Sequence, residues 1–188
     1  MNNVRDQENF SVPPQSPVRQ KGTCLNKFVT FVASGGYAGF FPFAPGTVGA
    51  LEGILFSFLF SHFPLPIYLL STAALFFLGA WAAAGAEISF ARKDSPRIVI
   101  DEIVGYLITM ILIPFSPGTA LIGFLLFRVF DVLKPPPAGK IDRQMEGGFA
   151  VVLDDAVAGL YANIALHLLL WGNPQFFQET DRWVRSFL

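Results

Sequence analysis

The stretch GILFSFLFSHFPLPIYLLSTAALFFLGAWAAAGA, residues 53–86, carries no charged side chain. It is too long for one membrane helix, which needs roughly 17–25 apolar residues. Pro64 and Pro66 divide it, and proline interrupts a helix because it has no amide hydrogen to donate. The stretch therefore predicts two apolar helices, at about Thr47–Ser61 and Ile67–Ile88, joined by a short turn on the outer side.

Three further uncharged runs lie on the two sides of this stretch, at 28–51, 103–127 and 156–178. Runs of this length are typical of membrane spans. The first is interrupted by glycines and prolines, so it predicts a short helix and then a loop at the membrane boundary. A proline turn at 114–118 divides the second. The second and third runs predict helices at about Val99–Ile113, Thr119–Leu133 and Asp155–Trp171.

The composition supports the same fold class. Of the 188 residues, 53% are hydrophobic and only 14% are charged, against about 25% charged in an ordinary soluble domain. We predict an all-α, multi-pass membrane helical bundle with about five spans plus short or interfacial helices. The alternative is a soluble all-helical protein with a large Phe-rich core. The formal net charge of −1 offers no basic surface for nucleic acid, and the sequence does not fix the oligomeric state.

The chain divides into three parts by composition. Residues 1–26 are polar and contain three prolines, so they predict a disordered cytosolic tail. Residues 27–172 hold all the uncharged helices and predict a single membrane domain. Residues 173–188 are amphipathic and predict a segment that lies along the membrane interface.

The distribution of Lys and Arg predicts the orientation. The tail and the connections at 88–98 and 128–154 are basic, whereas the two proline turns carry neither Lys nor Arg. We therefore expect the tail and both basic connections on the cytoplasmic side. Arg182 and Arg185 fit less well, because five spans would place them outside. In this topology every polar cluster of the domain gathers at the cytoplasmic face.

Two acidic pairs stand at the starts of predicted helices, Asp101-Glu102 and Asp154-Asp155. One interpretation is helix capping. However, carboxylates at a membrane edge are costly and usually functional. Four carboxylates in one small site would repel each other without a cation, and hard oxygen ligands of this kind select Mg²⁺. The pairs are therefore candidate Mg²⁺ ligands.

A basic ridge precedes the second acidic pair. Arg128, Asp131 and Lys134 are spaced i, i+3, i+6, so they share one helical face. Arginine and lysine beside acids suit a phosphate group. The alternative is a structural ion pair between Arg128 and Asp131, with the Lys134 side chain reaching out to solvent.

Two glycine-containing segments complete the candidates. In Pro45-Gly46-Thr47-Val48-Gly49 a helix restarts, and the free amides of a helix N-terminus bind anions. The alternative is a helix start that Thr47 merely caps. Asp142-Arg143 precede Gly147-Gly148, which allow a tight turn. On its own this second segment is more typical of a surface loop.

Taken together, these motifs resemble the phosphatidylglycerophosphatase A family. They occur in family order over about residues 35–165, and Phe41 and Glu146 stand at two positions that depart from the family pattern. The matching motifs are Pro42-x-x-Pro45-Gly46-Thr47-x-Gly49, Ile98-Val99-Ile100-Asp101-Glu102-x-x-Gly105, Phe127-Arg128-x-x-Asp131-x-x-Lys134-Pro135, Asp142-Arg143-x-x-x-Gly147-Gly148 and Asp154-Asp155-x-x-Ala158-Gly159.

The resemblance implies an enzyme of the bacterial cytoplasmic membrane whose active site faces the cytoplasm. It implies a Mg²⁺-dependent phosphatase that converts phosphatidylglycerophosphate, a phospholipid of the bilayer, into phosphatidylglycerol. Two alternatives are a phosphatase for another lipid phosphate, such as phosphatidic acid, and a non-enzymatic membrane transporter or scaffold. The substrate comes from the resemblance alone.

With this family as a guide, the candidate residues fall into three hypothetical roles. The acidic pairs would hold Mg²⁺, basic side chains and helix-start amides would bind the phosphate, and a further carboxylate would orient or deprotonate the attacking water. The expected Mg²⁺ ligands are Asp101, Glu102, Asp154 and Asp155. The expected phosphate ligands are Gly46, Thr47, Arg128, Lys134 and Arg143. The expected catalytic carboxylates are Asp101, Asp131 and Asp142.

Overall fold

The computed structural model describes residues 24–173, together with Gln175 and Gln178. Over these residues the fold is all-helical and contains no strand, as predicted. The predicted tail lies outside the described residues except for 24–26, and most of the predicted interfacial segment, 173–188, lies outside them as well. The helices are α1 (Cys24–Ala33), α2 (Pro45–Phe60), α3 (Leu65–Phe90), α4 (Ile100–Thr109), α5 (Pro117–Leu133), α6 (Ala138–Gln144) and α7 (Gly148–Gly172), with one 3-10 turn at Ala38–Phe40.

Most helix boundaries agree with the uncharged runs and their prolines. The ends of α2, α3 and α5 lie within two residues of the predicted positions. Ser116 caps α5 through a side-chain oxygen that accepts from the Thr119 amide, and Pro117 occupies its first turn. The fourth helix is shorter than predicted, because it ends at Thr109 rather than Ile113.

The prediction for the last helix is wrong at its start. We expected it to begin at Asp155, but α7 begins at Gly148 after Gly147, whose φ of 85° suits glycine. The apolar residues 148–153 simply continue the helix toward its N-terminus. Asp154 and Asp155 therefore lie in the second turn of α7, and the capping interpretation of this pair is wrong.

Two of the described helices are long and apolar enough to cross a bilayer. These are α3, with 26 residues and a mean hydropathy of 1.8, and α7, with 25 residues and a mean hydropathy of 1.6. Only 28% of the apolar window of α3 is buried inside the protein. Large side chains such as Leu70 and Phe77 point outward. Apolar surface of this extent favours contact with lipid.

Helix α4 lies at the centre of the bundle. It packs against α2, α3, α5 and α7. Val104, Tyr106 and Leu107 are fully buried, and the Tyr106 hydroxyl donates to the Ala120 carbonyl at 2.9 Å. The acidic pair Asp101-Glu102 therefore stands in the first turn of the most enclosed helix of the fold.

Two glycines set the approach of α4 to α7. A Cβ on Gly159 would overlap the Gly105 carbonyl, and a Cβ on Gly105 would lie 2.8 Å from the Asp155 carbonyl oxygen. Small residues of this kind allow helix backbones to approach closely. The contact brings the second turn of α7 against the acidic start of α4.

Gly159→Ala is expected to lower the free energy of unfolding by about 1–3 kcal/mol. The added methyl group would meet backbone atoms of Gly105 rather than the end of a flexible side chain. Thermal unfolding in detergent would measure the loss. Gly172→Ala is the matched control, because it lies on the same helix and its Cβ would meet nothing within 4 Å. Equal stability of the two variants would contradict the close crossing.

Candidate active site

Three carboxylates converge where α4 meets α7. One oxygen from each of Asp101, Glu102 and Asp155 lies within 4.8 Å of the other two. Asp101 and Asp155 are only 7% and 4% exposed. Asp101 Oδ1 and Glu102 Oε2 are buried without a hydrogen-bond partner. We call these three residues the carboxylate cluster.

The carboxylate cluster fits a divalent metal ion. Burying several like charges is costly unless protons or a cation neutralise them. The donors are hard carboxylate oxygens, the type that Mg²⁺ and Ca²⁺ prefer. The unpartnered oxygens are the groups that such an ion would use. The cluster is therefore a candidate acidic metal site, as the sequence led us to expect for three of the four proposed ligands.

The start of α4 is held in place by the chain around it. The Val99 amide donates to the Ala33 carbonyl at 2.9 Å, which ties α4 to the end of α1. Val99 itself is the N-cap and makes no side-chain cap. Asp101 and Glu102 lie in the first turn, where the helix dipole favours negative charge. They are thus not capping residues, although the dipole stabilises them.

The N-terminus of α2 lies beside the carboxylate cluster. A Cβ on Gly46 would overlap Glu102 Oε1 and would lie 3.4 Å from Arg128 Nη1. The position therefore requires glycine if the Glu102 side chain is to stay where it is. Gly46 is in the first turn of α2, where amides have no partner within the helix.

Thr47 is arranged differently from the prediction. The helix is preceded by Ala44 rather than capped by Thr47, so the capping interpretation is wrong. The Thr47 amide donates to the Ala44 carbonyl at 2.9 Å. This amide is therefore engaged within the chain, and the role of Thr47 in binding phosphate stays a prediction. The neighbouring Gly46 amide is the better candidate for an anion contact.

Arg128 and Asp131 form the ion pair that their spacing predicts. Arg128 Nη1 lies 2.6 Å from Asp131 Oδ2, although the alignment is not that of a hydrogen bond. Asp131 is also close enough to Asp155 for the two carboxylates to interact electrostatically. Glu102 Oε1 and Arg128 Nη1 both lie within 3.4 Å of the position that a Cβ on Gly46 would take, so the guanidinium lies at the edge of the carboxylate cluster. A phosphate held there would face both positive charge and the cluster.

Lys134 forms a second, separate charged group. Its ammonium lies 2.5 Å from Asp154 Oδ2 and 3.1 Å from Asp142 Oδ1. Burial lowers the pKa of Lys134, but the contacts with Asp154 and Asp142 outweigh it and raise the pKa above its usual value. The ammonium is therefore held by carboxylates instead of reaching out to solvent as the alternative interpretation had it.

This second group changes the expectations for three residues. Asp154, expected as a metal ligand, is paired with Lys134 and is not in the carboxylate cluster. Lys134, expected to bind phosphate, is already engaged by two carboxylates. Asp142, expected as a catalytic carboxylate, lies with Lys134 and not with Asp101. Arg143 is exposed in the last turn of α6, and among the described residues it forms no ion pair.

The roles of Gly105 and Gly159 were missed by sequence reasoning. Both stand inside the matching motifs, but no sequence pattern indicated a role for them. The available signal was a pair of small residues within apolar helices, which marks close helix contacts. The structure shows that they bring Asp155 to the other two carboxylates.

Lys134→Met is expected to destabilise the protein by about 1–3 kcal/mol, because it leaves the buried Asp154 carboxylate without its partner. The double variant Lys134→Met, Asp154→Asn should be more stable than the single variant, since it removes the stranded charge. Chemical denaturation in detergent would measure both. Independent, additive losses would contradict the ion pair.

Comparisons with known proteins show the family of this chain. The profile of the phosphatidylglycerophosphatase A family matches residues 31–170. A protein of Bacteroides thetaiotaomicron, provisionally named phosphatidylinositol-3-phosphatase, is 36% identical over 74% of this chain and 92% of its own length. Two proteins named phosphatidylglycerophosphatase A are also similar. The one from Haemophilus influenzae is 40% identical over 65% of this chain and 77% of its own length. The one from Escherichia coli is 31% identical over 73% of this chain and 81% of its own length.

No solved structure matches the chain significantly. The family profile covers the carboxylate cluster, Arg128 and both glycines of the α4–α7 crossing. These alignments cover most of the length of each relative. This chain therefore belongs to the phosphatidylglycerophosphatase A family.

Proposed function

We propose that this protein is a Mg²⁺-dependent phosphatase that hydrolyses the terminal phosphate monoester of phosphatidylglycerophosphate to give phosphatidylglycerol. The observation that carries the proposal is the buried carboxylate cluster beside Arg128, in a chain of this family. Two similar proteins named phosphatidylglycerophosphatase A support the choice of substrate.

Each residue of the site has a chemical task in this proposal. Asp101, Glu102 and Asp155 would hold Mg²⁺, which when bound neutralises charge on the phosphoryl oxygens. Arg128 would bind two phosphate oxygens through its planar guanidinium. The Gly46 amide would add a hydrogen bond at the start of α2.

Asp131 is the best-placed carboxylate for the attacking water. It pairs with Arg128 and interacts electrostatically with Asp155, so it adjoins both the phosphate contact and the carboxylate cluster. Water would add its oxygen to phosphorus and give a proton to Asp131, while the bond from phosphorus to the glycerol oxygen breaks and that oxygen takes up a proton from solvent. The products are an alcohol and inorganic phosphate. Asp142 would instead fix α6 through Lys134, and Arg143 would stand at the rim as an additional phosphate contact.

The substrate would remain in the membrane during the reaction. We propose a multi-pass protein of the bacterial cytoplasmic membrane, with about five spans and the site facing the cytoplasm. The outward apolar surface of α3 and the basic connections support this placement. The acyl chains would stay between helices and lipid while the phosphate enters from the cytoplasmic side.

A second candidate substrate class comes from one specific finding. The relative from Bacteroides thetaiotaomicron carries the name of a phosphoinositide phosphatase, so similar proteins are not all named for the same lipid. Phosphatidic acid is a third lipid with a phosphate monoester. The carboxylate cluster and Arg128 would suit all three lipids, because they would bind the phosphate and not the rest of the headgroup.

Phosphate release by the detergent-purified protein tests the proposal. The three lipid phosphates are offered separately, each with Mg²⁺ and with EDTA. We expect release mainly from phosphatidylglycerophosphate and only with Mg²⁺. Equal release from all three would contradict the substrate and leave a broader lipid phosphatase. No release from any of them by folded protein would favour a transporter or scaffold.

A further inference from the structure

Four aromatic side chains form a continuous row on the surface near the end of α3. Ring centroids are 5.5 Å apart for Phe31 and Tyr37, 5.9 Å for Tyr37 and Phe40, and 6.1 Å for Phe40 and Phe90. The first three side chains are 44–50% exposed. We call these four residues the aromatic row. Clustered, exposed rings of this kind mark a surface that contacts another molecule or a membrane.

A cation lies on one end of the aromatic row. The Arg97 guanidinium is 5.1 Å from the centre of the Phe40 ring and 5.5 Å from that of Phe90. In the described part of the chain, no carboxylate lies within 4.0 Å of it. Stacking on rings orients a guanidinium without using the donors in its plane. Those donors are therefore available to an anion.

The backbone holds Arg97 in this position. A Cβ on Gly39 would overlap the Arg97 carbonyl, so the 3-10 turn is pressed against the segment before α4. The Gly39 amide donates to the Ser34 carbonyl at 3.0 Å. Two residues after Arg97, Val99 is bonded to the end of α1. The backbone that carries the row and its cation is thus fixed by packing, although the side chains lie at the surface.

The position of the aromatic row in the fold indicates that it contacts the headgroup region of a bilayer. Phe90 is the last residue of α3, one of the two helices able to cross a bilayer. Aromatic and basic side chains at the end of a membrane helix lie at the level of the lipid headgroups. Asp101 follows Arg97 by four residues, so the row and the carboxylate cluster adjoin the same end of α4.

We propose that Arg97 and the aromatic row form a binding site for the negatively charged headgroup of an anionic bilayer phospholipid, separate from the catalytic site. The lipid would be a component of the surrounding leaflet and not the substrate. The inference rests on the membrane placement given under the proposed function. It does not depend on which lipid phosphate is hydrolysed.

Lipid contact can be measured by fluorescence quenching in vesicles. In a Cys24→Ser background, which removes the single cysteine, a fluorophore is attached at Phe41→Cys, next to the row and 53% exposed. Vesicles of phosphatidylcholine receive the same small fraction of acyl-brominated phosphatidylserine or acyl-brominated phosphatidylcholine. Neither lipid carries a phosphate monoester. A label at Lys140→Cys, exposed on α6, reports quenching away from the row.

We expect the label at residue 41 to be quenched by both brominated lipids and the label at residue 140 to be quenched much less. The anionic lipid should be about fivefold more effective, the gain that one basic side chain gives at a membrane surface. Arg97→Gln should bring this ratio close to one while the quenching itself persists. Arg92→Gln is the matched control, because Arg92 is exposed nearby but lies outside the row, and it should keep most of the preference.

Three outcomes would overturn the inference. Absence of quenching at residue 41 would show that the row does not face lipid. An equal loss of preference in Arg97→Gln and Arg92→Gln would indicate a general basic field and no site. A raised KM of Arg97→Gln in detergent, without bilayer lipid, would assign Arg97 to the substrate. Quenching needs no turnover, so a failure of the proposed phosphatase activity would leave this test intact.

Discussion

Asp101→Asn is expected to reduce phosphate release by about a hundred- to a thousandfold or more, while the protein stays folded. The side chain keeps its size but loses the charge that would bind a divalent cation. Its Oδ1 is buried and has no hydrogen-bond partner, so the substitution breaks no hydrogen bond at that atom. Phosphate release with saturating Mg²⁺ would measure the loss.

The same variant should respond to Mg²⁺ differently from the wild-type protein. Without metal, Asp101→Asn should unfold at the same temperature or higher, because one of three neighbouring buried carboxylates is gone. With Mg²⁺, the wild type should gain stability because the ion binds only the folded state. The variant should lose most of this gain. Thermal unfolding with and without Mg²⁺ would separate a metal ligand from a residue that only supports the fold.

Glu146→Gln is the control for Asp101→Asn. Glu146 is acidic but exposed, and it lies outside the carboxylate cluster. It should keep both turnover and the stabilisation by Mg²⁺. Near-normal activity of folded Asp101→Asn would refute the assignment of the cluster as the metal site.

Arg128→Gln is expected to lower kcat/KM by about a hundred- to a thousandfold, because the charge that faces the phosphate is lost. Arg128→Lys should recover only part of the activity, since an ammonium cannot hold two oxygens as a planar guanidinium does. Steady-state kinetics over a range of substrate concentrations would measure both. Unlike Asp101→Asn, both variants should keep the stabilisation by Mg²⁺.

Arg92→Gln serves as the matched control for Arg128→Gln. It removes the same charge from an exposed arginine outside the site and should leave the kinetics unchanged. If Arg128→Gln also abolished the stabilisation by Mg²⁺, Arg128 would be supporting the carboxylate cluster instead of binding phosphate. If it kept normal kcat/KM, the phosphate would lie elsewhere.

Local signals in the sequence were enough to predict most of the helices. Uncharged runs and the prolines at 64 and 117 placed the ends of α2, α3 and α5 to within two residues. The predicted start of α7 was wrong. An acidic pair is typical of a helix start, but it also occurs inside a helix that has already begun. The preceding residues 148–153 are apolar and belong to the same helix, which packs against α3.

The residues of the site could be predicted from the sequence, but not which of them lie together. The sequence pointed to four acidic ligands, but only three of them lie in the carboxylate cluster. The difference arises from the directions in which the two acidic residues of α7 point. Asp154 turns toward Lys134, whereas the next residue, Asp155, turns toward Asp101 and Glu102. Neighbours on a helix are about 100° apart around its axis, so Asp154 and Asp155 point to different sides of α7. Which member serves which site follows from tertiary packing.

The close contacts of α7 limit how its length can vary. Gly148 fits against the backbone of α3 at Ala80, Asp155 reaches the carboxylate cluster, and Gly159 fits against Gly105. All three contacts are made by one continuous helix. A single inserted or deleted residue between the two glycines would rotate one contact relative to the other by about 100° and shift it by about 1.5 Å along the axis. The interval from Gly148 to Gly159 can therefore accept changes of side chain at its exposed positions, but it cannot gain or lose a residue.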